Sequence, residues 1–252
     1  MSDDELLSGI RLDQISTHLA TLQDAQRFVM RYGKAIQAYL TAVVRDPDDA
    51  KDVFQDLVAG LLGRGGAASA WPGVTAAAAH KGRFRDYLKV IARNAAITFF
   101  RKKNRRHASD LAPDDHADPT STDAAADREM LAEWQRCVLE KVWRELEAHE
   151  RRAPGNMFHT ALRVYTEFPK EDSPKQAARV AEKLGRPVTA EAFRKQVSRG
   201  KRLMAELILC EVAATVGSGK ADDVEAELIE LGLMKYVSDY LPDDWRDQFF
   251  GR

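Results

Sequence analysis

Between Gly82 and Arg106 the apolar residues Phe84, Leu88, Ile91, Ala95 and Phe99 fall three or four apart. That spacing puts them on one side of an α-helix and excludes a half-buried strand. The same stretch, taken from Lys81, holds ten basic residues: Lys81, Arg83, Arg85, Lys89, Arg93, Arg101, Lys102, Lys103, Arg105 and Arg106. Asp86 is its one acid, a local excess of nine positive charges in a chain whose net charge is −1. On a helical wheel Arg85, Lys89 and Arg93 form a stripe four residues apart, away from the apolar face. Tyr87 and Phe100 sit among the charges. Cations neutralise phosphates and rings stack on unpaired bases, so the stretch reads as a nucleic-acid surface. The plainer reading is a solvated helix with a basic end.

Helical spacing recurs along the chain, and no segment sustains strand alternation, so the expected fold is all-α. Ala25–Val43 is one amphipathic helix. Asp46 is placed to cap the next, with Pro47 at its first position and Asp48 and Asp49 at the positive end of its dipole. Ala50, Val53, Phe54, Leu57, Val58 and Leu61 continue that helix. Residues 1–13 read as a flexible acidic tail, and 63–81, rich in Gly and Ala, as a loop. Ala108–Asp127 has two prolines, six Asp and no Lys or Arg, the composition of a disordered linker. The expected organisation is therefore two small helical domains, 14–107 and 128–212, joined by an acidic linker at 108–127 and followed by an extension at 213–252.

The second half carries its own signature. After helices at Glu129–Ala148 and Met157–Phe168, Ser173 with Gln176 makes a capping box with Pro174 at the first helical position. Ala177, Val180, Ala181 and Leu184 form an apolar face that Gly185 ends. Thr189 is placed to cap a second helix with Phe193, Val197, Met204 and Leu207 inward. Two short helices joined by a glycine turn, the second rich in cations, read as a helix-turn-helix. Arg194, Lys195, Ser198 and Arg199 then face base edges, Lys201 and Arg202 face phosphates, and Thr189 and Glu191 lie at the end nearest the groove. The competing reading is an ordinary helical hairpin.

Enzymatic chemistry is not expected. The six histidines are scattered, with no metal-ligand spacing, and no nucleophile elbow is present. Gly217-Ser218-Gly219-Lys220 lacks both the first glycine and the final hydroxyl of a phosphate loop and reads as a turn. No cofactor is implied. Cys137 and Cys210 fall in apolar helical patterns and read as reduced core residues, which with the lack of a signal peptide points to the cytoplasm. No run reaches membrane-spanning length.

The order of these motifs resembles that of a sigma-70-type transcription factor of the small extracytoplasmic-function group, which carries sigma regions 2 and 4. Tyr32-Gly33-Lys34 through Tyr39-Leu40 resembles the first helix of region 2. The segment from Asp48 to Asp56 resembles the family's acidic contact with core polymerase. Phe84–Leu88 with Ile91–Asn94 resembles the promoter-melting segment, and 130–212 resembles region 4. Lys51 departs from the family, which usually has Glu there, as do the long loop at 63–81 and the extension. The resemblance implies an initiation factor that binds core RNA polymerase through Asp49, Asp52, Gln55 and Asp56. It implies contact with the −10 element and melting through Arg83, Arg85, Tyr87, Lys89, Arg93, Asn94, Arg101 and Lys102. Reading of the −35 element falls to Thr189, Glu191, Arg194, Lys195, Ser198, Arg199, Lys201 and Arg202. Promoter DNA and core polymerase are the implied partners, and an anti-sigma factor or other regulator is a further partner it allows. The alternative is a two-domain helix-turn-helix regulator acting without polymerase. A protein-interaction module is a third class.

The extension combines four basic residues and nine acids with Val224, Leu228, Leu231, Leu233, Tyr236, Val237, Tyr240, Leu241, Trp245, Phe249 and Phe250. That much apolar surface predicts a folded element. It either packs on the second domain or lays its acids over a DNA-binding face.

Overall fold

The computed structural model describes residues 22–61, 83–107, 124–153, 155–216 and 218–250. All regular elements among them are helical: α1 Leu22–Val44, α2 Pro47–Leu61, α3 Phe84–His107, α4 Ala124–Arg152, α5 Phe158–Glu167, α6 Ser173–Leu184, α7 Ala190–Ala213, α8 Ala221–Glu230, a 3-10 turn at Met234–Tyr236, and α9 Trp245–Phe250. The expected tail at 1–13, the loop at 63–81, Lys81, and the linker from 108 to 123 lie outside the described residues. The last residues of the expected linker do not. Ala124–Asp127 form the first turn of α4, where three consecutive alanines favour helix despite the acids around them. The chain forms two compact units, and their division falls inside α4, after Cys137, not in the linker; Ala214–Gly219 belong to the first unit.

In the first unit, α1, α2 and α3 pack against one another. Tyr32, Ile36 and Leu40 of α1 meet Val53 and Leu57 of α2 and Phe84, Leu88 and Ile91 of α3 in a buried core. Gly33 sets the closeness of α1 to α2, since a Cβ there would lie 3.2 Å from the Phe54 ring. Arg45 adopts a left-handed φ of 67° and ends α1. The Asp46 carboxylate then accepts from the amides of Asp48 (3.0 Å) and Asp49 (2.9 Å), capping α2 as its sequence predicts. Trp134 of α4 is fully buried and stacks on Tyr32 with 4.0 Å between ring centroids. Such a pair contributes about 0.5–1.5 kcal/mol beyond its buried area. The start of α3 is held from far along the chain: the Phe84 amide donates to the Thr215 carbonyl (3.0 Å), and Arg83 forms an antiparallel bridge with Val216.

In the second unit, α5, α6 and α7 pack mutually. Ala161, Leu162, Ala177, Val180, Phe193 and Val197 of these helices are buried, and so are Val138, Val142 and Leu146 of α4. The cap of α6 is Asp172, whose carboxylate accepts from the Lys175 amide (3.1 Å), and not the expected Ser173. Gln176, expected as the other half of that box, is buried and donates to the Phe168 carbonyl (2.8 Å). Gly185 ends α6 with φ 64° and donates to the Ala181 carbonyl. The extension is folded: Val224, Leu228, Leu231, Leu233 and Val237 are buried, and both α8 and the 3-10 turn contact α7.

Candidate nucleic-acid interface

Helix α7 has two contrasting sides. Phe193, Val197, Gly200 and Leu203 are buried, while Thr189, Glu191, Arg194, Lys195, Ser198, Arg199 and Arg202 are exposed. The Thr189 hydroxyl accepts from the Ala192 amide (3.1 Å) and caps the helix, as expected. The helix is seated by its small residue and its amide. A Cβ on Gly200 would lie 3.0 Å from Leu162 Cδ1, and Gln196 Oε1 accepts from the Met157 amide (3.1 Å). Along the exposed side Glu191 and Lys195 pair at 2.8 Å, and that hydrogen bond holds the Glu191 carboxyl below the usual carboxylate range. Arg194, Arg199 and Arg202 are exposed on the same side, and a guanidinium can meet a guanine edge or a phosphate with two parallel N–H bonds.

Lys201 is the member of the predicted set that stands apart. It is half-buried, its Nζ lies 4.2 Å from the Tyr165 ring centroid and 5.6 Å from that of Tyr240, and it donates to the Tyr165 hydroxyl at 3.1 Å. Burial lowers the Lys201 pKa, and hydrogen bonds to the two phenol oxygens more than offset it, so the ammonium is held above its ordinary value. No motif announces this arrangement, because its three residues come from α5, α7 and the extension.

The basic stripe of α3 differs from its prediction. Arg85 is buried, with 7% of its surface exposed. Ala92 and Ala96 are also buried, so the covered arc is wider than the apolar spacing indicates and takes in Arg85, seven residues from Ala92. Lys89 is half-buried and bound to Asp127 at 2.6 Å. Arg93 is half-buried as well. Tyr87 leans on Phe84 at 5.9 Å between centroids, and burial raises its hydroxyl pKa. Phe84 itself is core, as its place on the apolar face predicts. The side of α3 that is open to solvent instead carries Asp86, Val90, Asn94, Thr98, Arg101, Lys102 and Arg105. Arg83 is half-buried at the bridge to Val216.

The acidic residues of α2 divide. Asp52, Gln55 and Asp56 are exposed. Asp49 is half-buried and paired with Lys103 at 2.7 Å, while that ammonium also lies 5.6 Å from the Phe99 ring centroid.

The chain matches no family model, no curated protein and no solved structure.

Elsewhere, no group of three His, Cys, Asp or Glu among the described residues is placed to hold a metal ion. Cys137 and Cys210 are buried and unbridged, and burial pushes the Cys210 thiol up to about 12, with Glu206 and Glu211 adding to it. No described helix is long and apolar enough to cross a membrane. At the junction of α4 and α5, the Asn156 side chain accepts from the Phe158 amide (2.8 Å) and lies 2.6 Å from His149 Nδ1. The amide oxygen is thereby committed, so Asn156 donates and His149 accepts through an unprotonated Nδ1.

Proposed function

We infer that the chain is a bacterial transcription initiation factor of the sigma-70 type, extracytoplasmic-function group. In this reading α1–α3 serve as the polymerase-binding region and α5–α7 as the duplex-binding region. The observation that carries it is the exposed side of α7. Arg194, Lys195, Ser198, Arg199 and Arg202 stand on one solvent-facing stripe of a capped helix whose other side is locked onto α5 and α6. Such a stripe fits the major groove, and its N-terminal residues Thr189 and Glu191 come nearest the base edges. Exposed Asp52, Gln55 and Asp56 support a contact with core polymerase. The acids near the linker and the cations of α3 fit a chain that works beside nucleic acid and its channels.

The test is transcription in vitro from a promoter library with core polymerase added. Promoter-dependent transcripts are expected with the chain present and not with core alone. Arg194→Ala is expected to change which sequences are selected at matched salt, since a bidentate arginine–guanine contact is worth about 1–3 kcal/mol of discrimination. Transcription that does not depend on the added chain refutes the reading.

A second reading draws on α3. With Arg85 buried and Lys89 bound to Asp127, the stripe expected to capture melted strands is not displayed. A duplex-binding regulator that never engages polymerase needs no such surface. Co-purification with core polymerase, and its loss in Asp52→Arg, separates the two.

A further inference from the structure

Tyr240 belongs to the extension, yet it meets a residue of the candidate recognition helix. Lys201 follows Arg194 by seven residues, two helical turns, so the two share one side of α7 about 10 Å apart. The position of Tyr240 is fixed from behind: its amide donates to the carbonyl of Val237 (3.0 Å), and Val237 is fully buried. From the other side Tyr165 of α5 completes the enclosure of the Lys201 ammonium. A cation set against two rings and a hydroxyl is held by the ring quadrupoles as well as by the hydrogen bond.

The segment that carries Tyr240 is acidic in sequence. Asp239 adjoins Tyr240, and Asp243, Asp244 and Asp247 follow, all exposed. The nearby cation of the segment, Arg246, is engaged elsewhere: it pairs with Glu225 of α8 and stacks on the Trp245 ring at 5.3 Å. A phosphate backbone approaching Arg194 and Ser198 therefore reaches the Lys201 ammonium only in competition with the two tyrosines that hold it.

We propose that residues 236–250 are an acidic shield, latched onto α7 by Tyr240 against Lys201, that holds down the affinity of the second unit for duplex DNA until the latch is displaced. The proposal rests on the reading of α7 as a duplex-binding helix. DNA phosphate and Tyr240 compete for the same ammonium, so docking of the duplex and docking of the shield oppose each other. The two packing alternatives for the extension are thus joined: its core is buried on α7, and its edge covers a cation.

Tyr240→Ala removes the latch without altering the charge of the chain, so any gain in affinity cannot come from net charge. The measurement is fluorescence anisotropy of a random-sequence duplex with the full chain, at about 50 mM and about 300 mM salt. Tyr240→Ala is expected to bind about three- to tenfold more tightly at the lower salt, with the gain shrinking at the higher. Tyr240→Phe keeps the ring and removes one hydroxyl. It is expected to gain less, and it stands in if the alanine variant fails to fold. Wild-type binding with no gain in either soluble variant overturns the shield and leaves the duplex-binding reading in place. Absence of duplex binding by wild type and both soluble variants overturns both.

Discussion

Replacing Gly200 by alanine isolates the contact that seats the candidate recognition helix. An added Cβ would lie 3.0 Å from Leu162 Cδ1, 3.1 Å from Leu162 Cγ and 3.3 Å from Phe158 Cβ. Leu162 is 2% exposed and so is enclosed by other side chains. Two opposing effects decide the outcome. Alanine is favoured over glycine inside a helix by up to about 1 kcal/mol. Forcing a methyl into a filled contact costs about 1–3 kcal/mol. The distances are short and one neighbour is an enclosed Leu side chain, so packing should win, for a net loss of about 1–2 kcal/mol. In a unit of this size that corresponds to a fall in melting temperature of roughly 4–15 °C. Differential scanning calorimetry of the full chain measures it, with a double-mutant cycle through Leu162→Ala. Removing the leucine side chain should give back most of the penalty, a coupling of about 1 kcal/mol. A melting temperature equal to or above wild type would refute the close approach of α5 and α7. Duplex affinity well below the melting transition should change little, because Gly200 faces away from the exposed stripe.

Two pH predictions follow from the same unit. Burial, with Arg152 adding to it, holds the His149 pKa below its ordinary value of 6.5. The unfolded chain therefore binds the proton more readily, and stability should fall as pH drops below about 6.5 and keep falling to the depressed folded value. His149→Gln, which offers Asn156 an acceptor that does not titrate, should flatten that slope in thermal melts across pH 5 to 7; an unchanged slope assigns the sensitivity elsewhere, first to His159, whose pKa burial also lowers. Glu206 has the opposite sign. Burial pushes its carboxyl up to about 7, opposed by Arg202, so the stability it supports at low pH is lost as pH rises from the ordinary 4.5 through about 7. Glu206→Gln should be more stable than wild type above pH 7 by about 1–2 kcal/mol after allowance for its partial exposure. Urea melts showing no difference at high pH would count against it.

The helices were legible because capping and apolar spacing are local. Asp46, Thr189 and Gly185 act within a few residues of their own position, and each does in the structure what its residue type predicts. The misplaced cap of α6 is an error of the same local kind: Asp172 and Ser173 are both good caps, and Pro174 is tolerated in either register. The Lys201 enclosure, the Tyr32–Trp134 stack and the Thr215 bond to α3 were not legible at all. Each joins residues far apart in the chain, and nothing local marks a tyrosine or a carbonyl as the partner of one distant group.

The basic stripe of α3 shows why a charged face read from spacing is weaker than an apolar one. Five apolar residues locate the centre of a buried arc but not its width. A helix touching a single neighbour leaves most of its circumference to water, whereas α3 packs on both α1 and α2. The covered arc runs through Ala92 and Ala96 to Arg85, and alanines carry too little apolar signal to reveal its width beforehand. Acids then settle the next cations: Asp127 takes Lys89, and Asp49 takes Lys103. Each half-exposed pair contributes only about 0–1 kcal/mol, so a polyanion could displace it at modest cost. On α7 the expected inward residues Phe193 and Val197 are buried, Met204 and Leu207 are half-buried, and Gly200 and Leu203 take covered positions beside them, with the arginines still falling opposite. The weight of a nucleic-acid reading therefore belongs on α7, with Arg101, Lys102 and Arg105 of α3 as an outlying cationic patch.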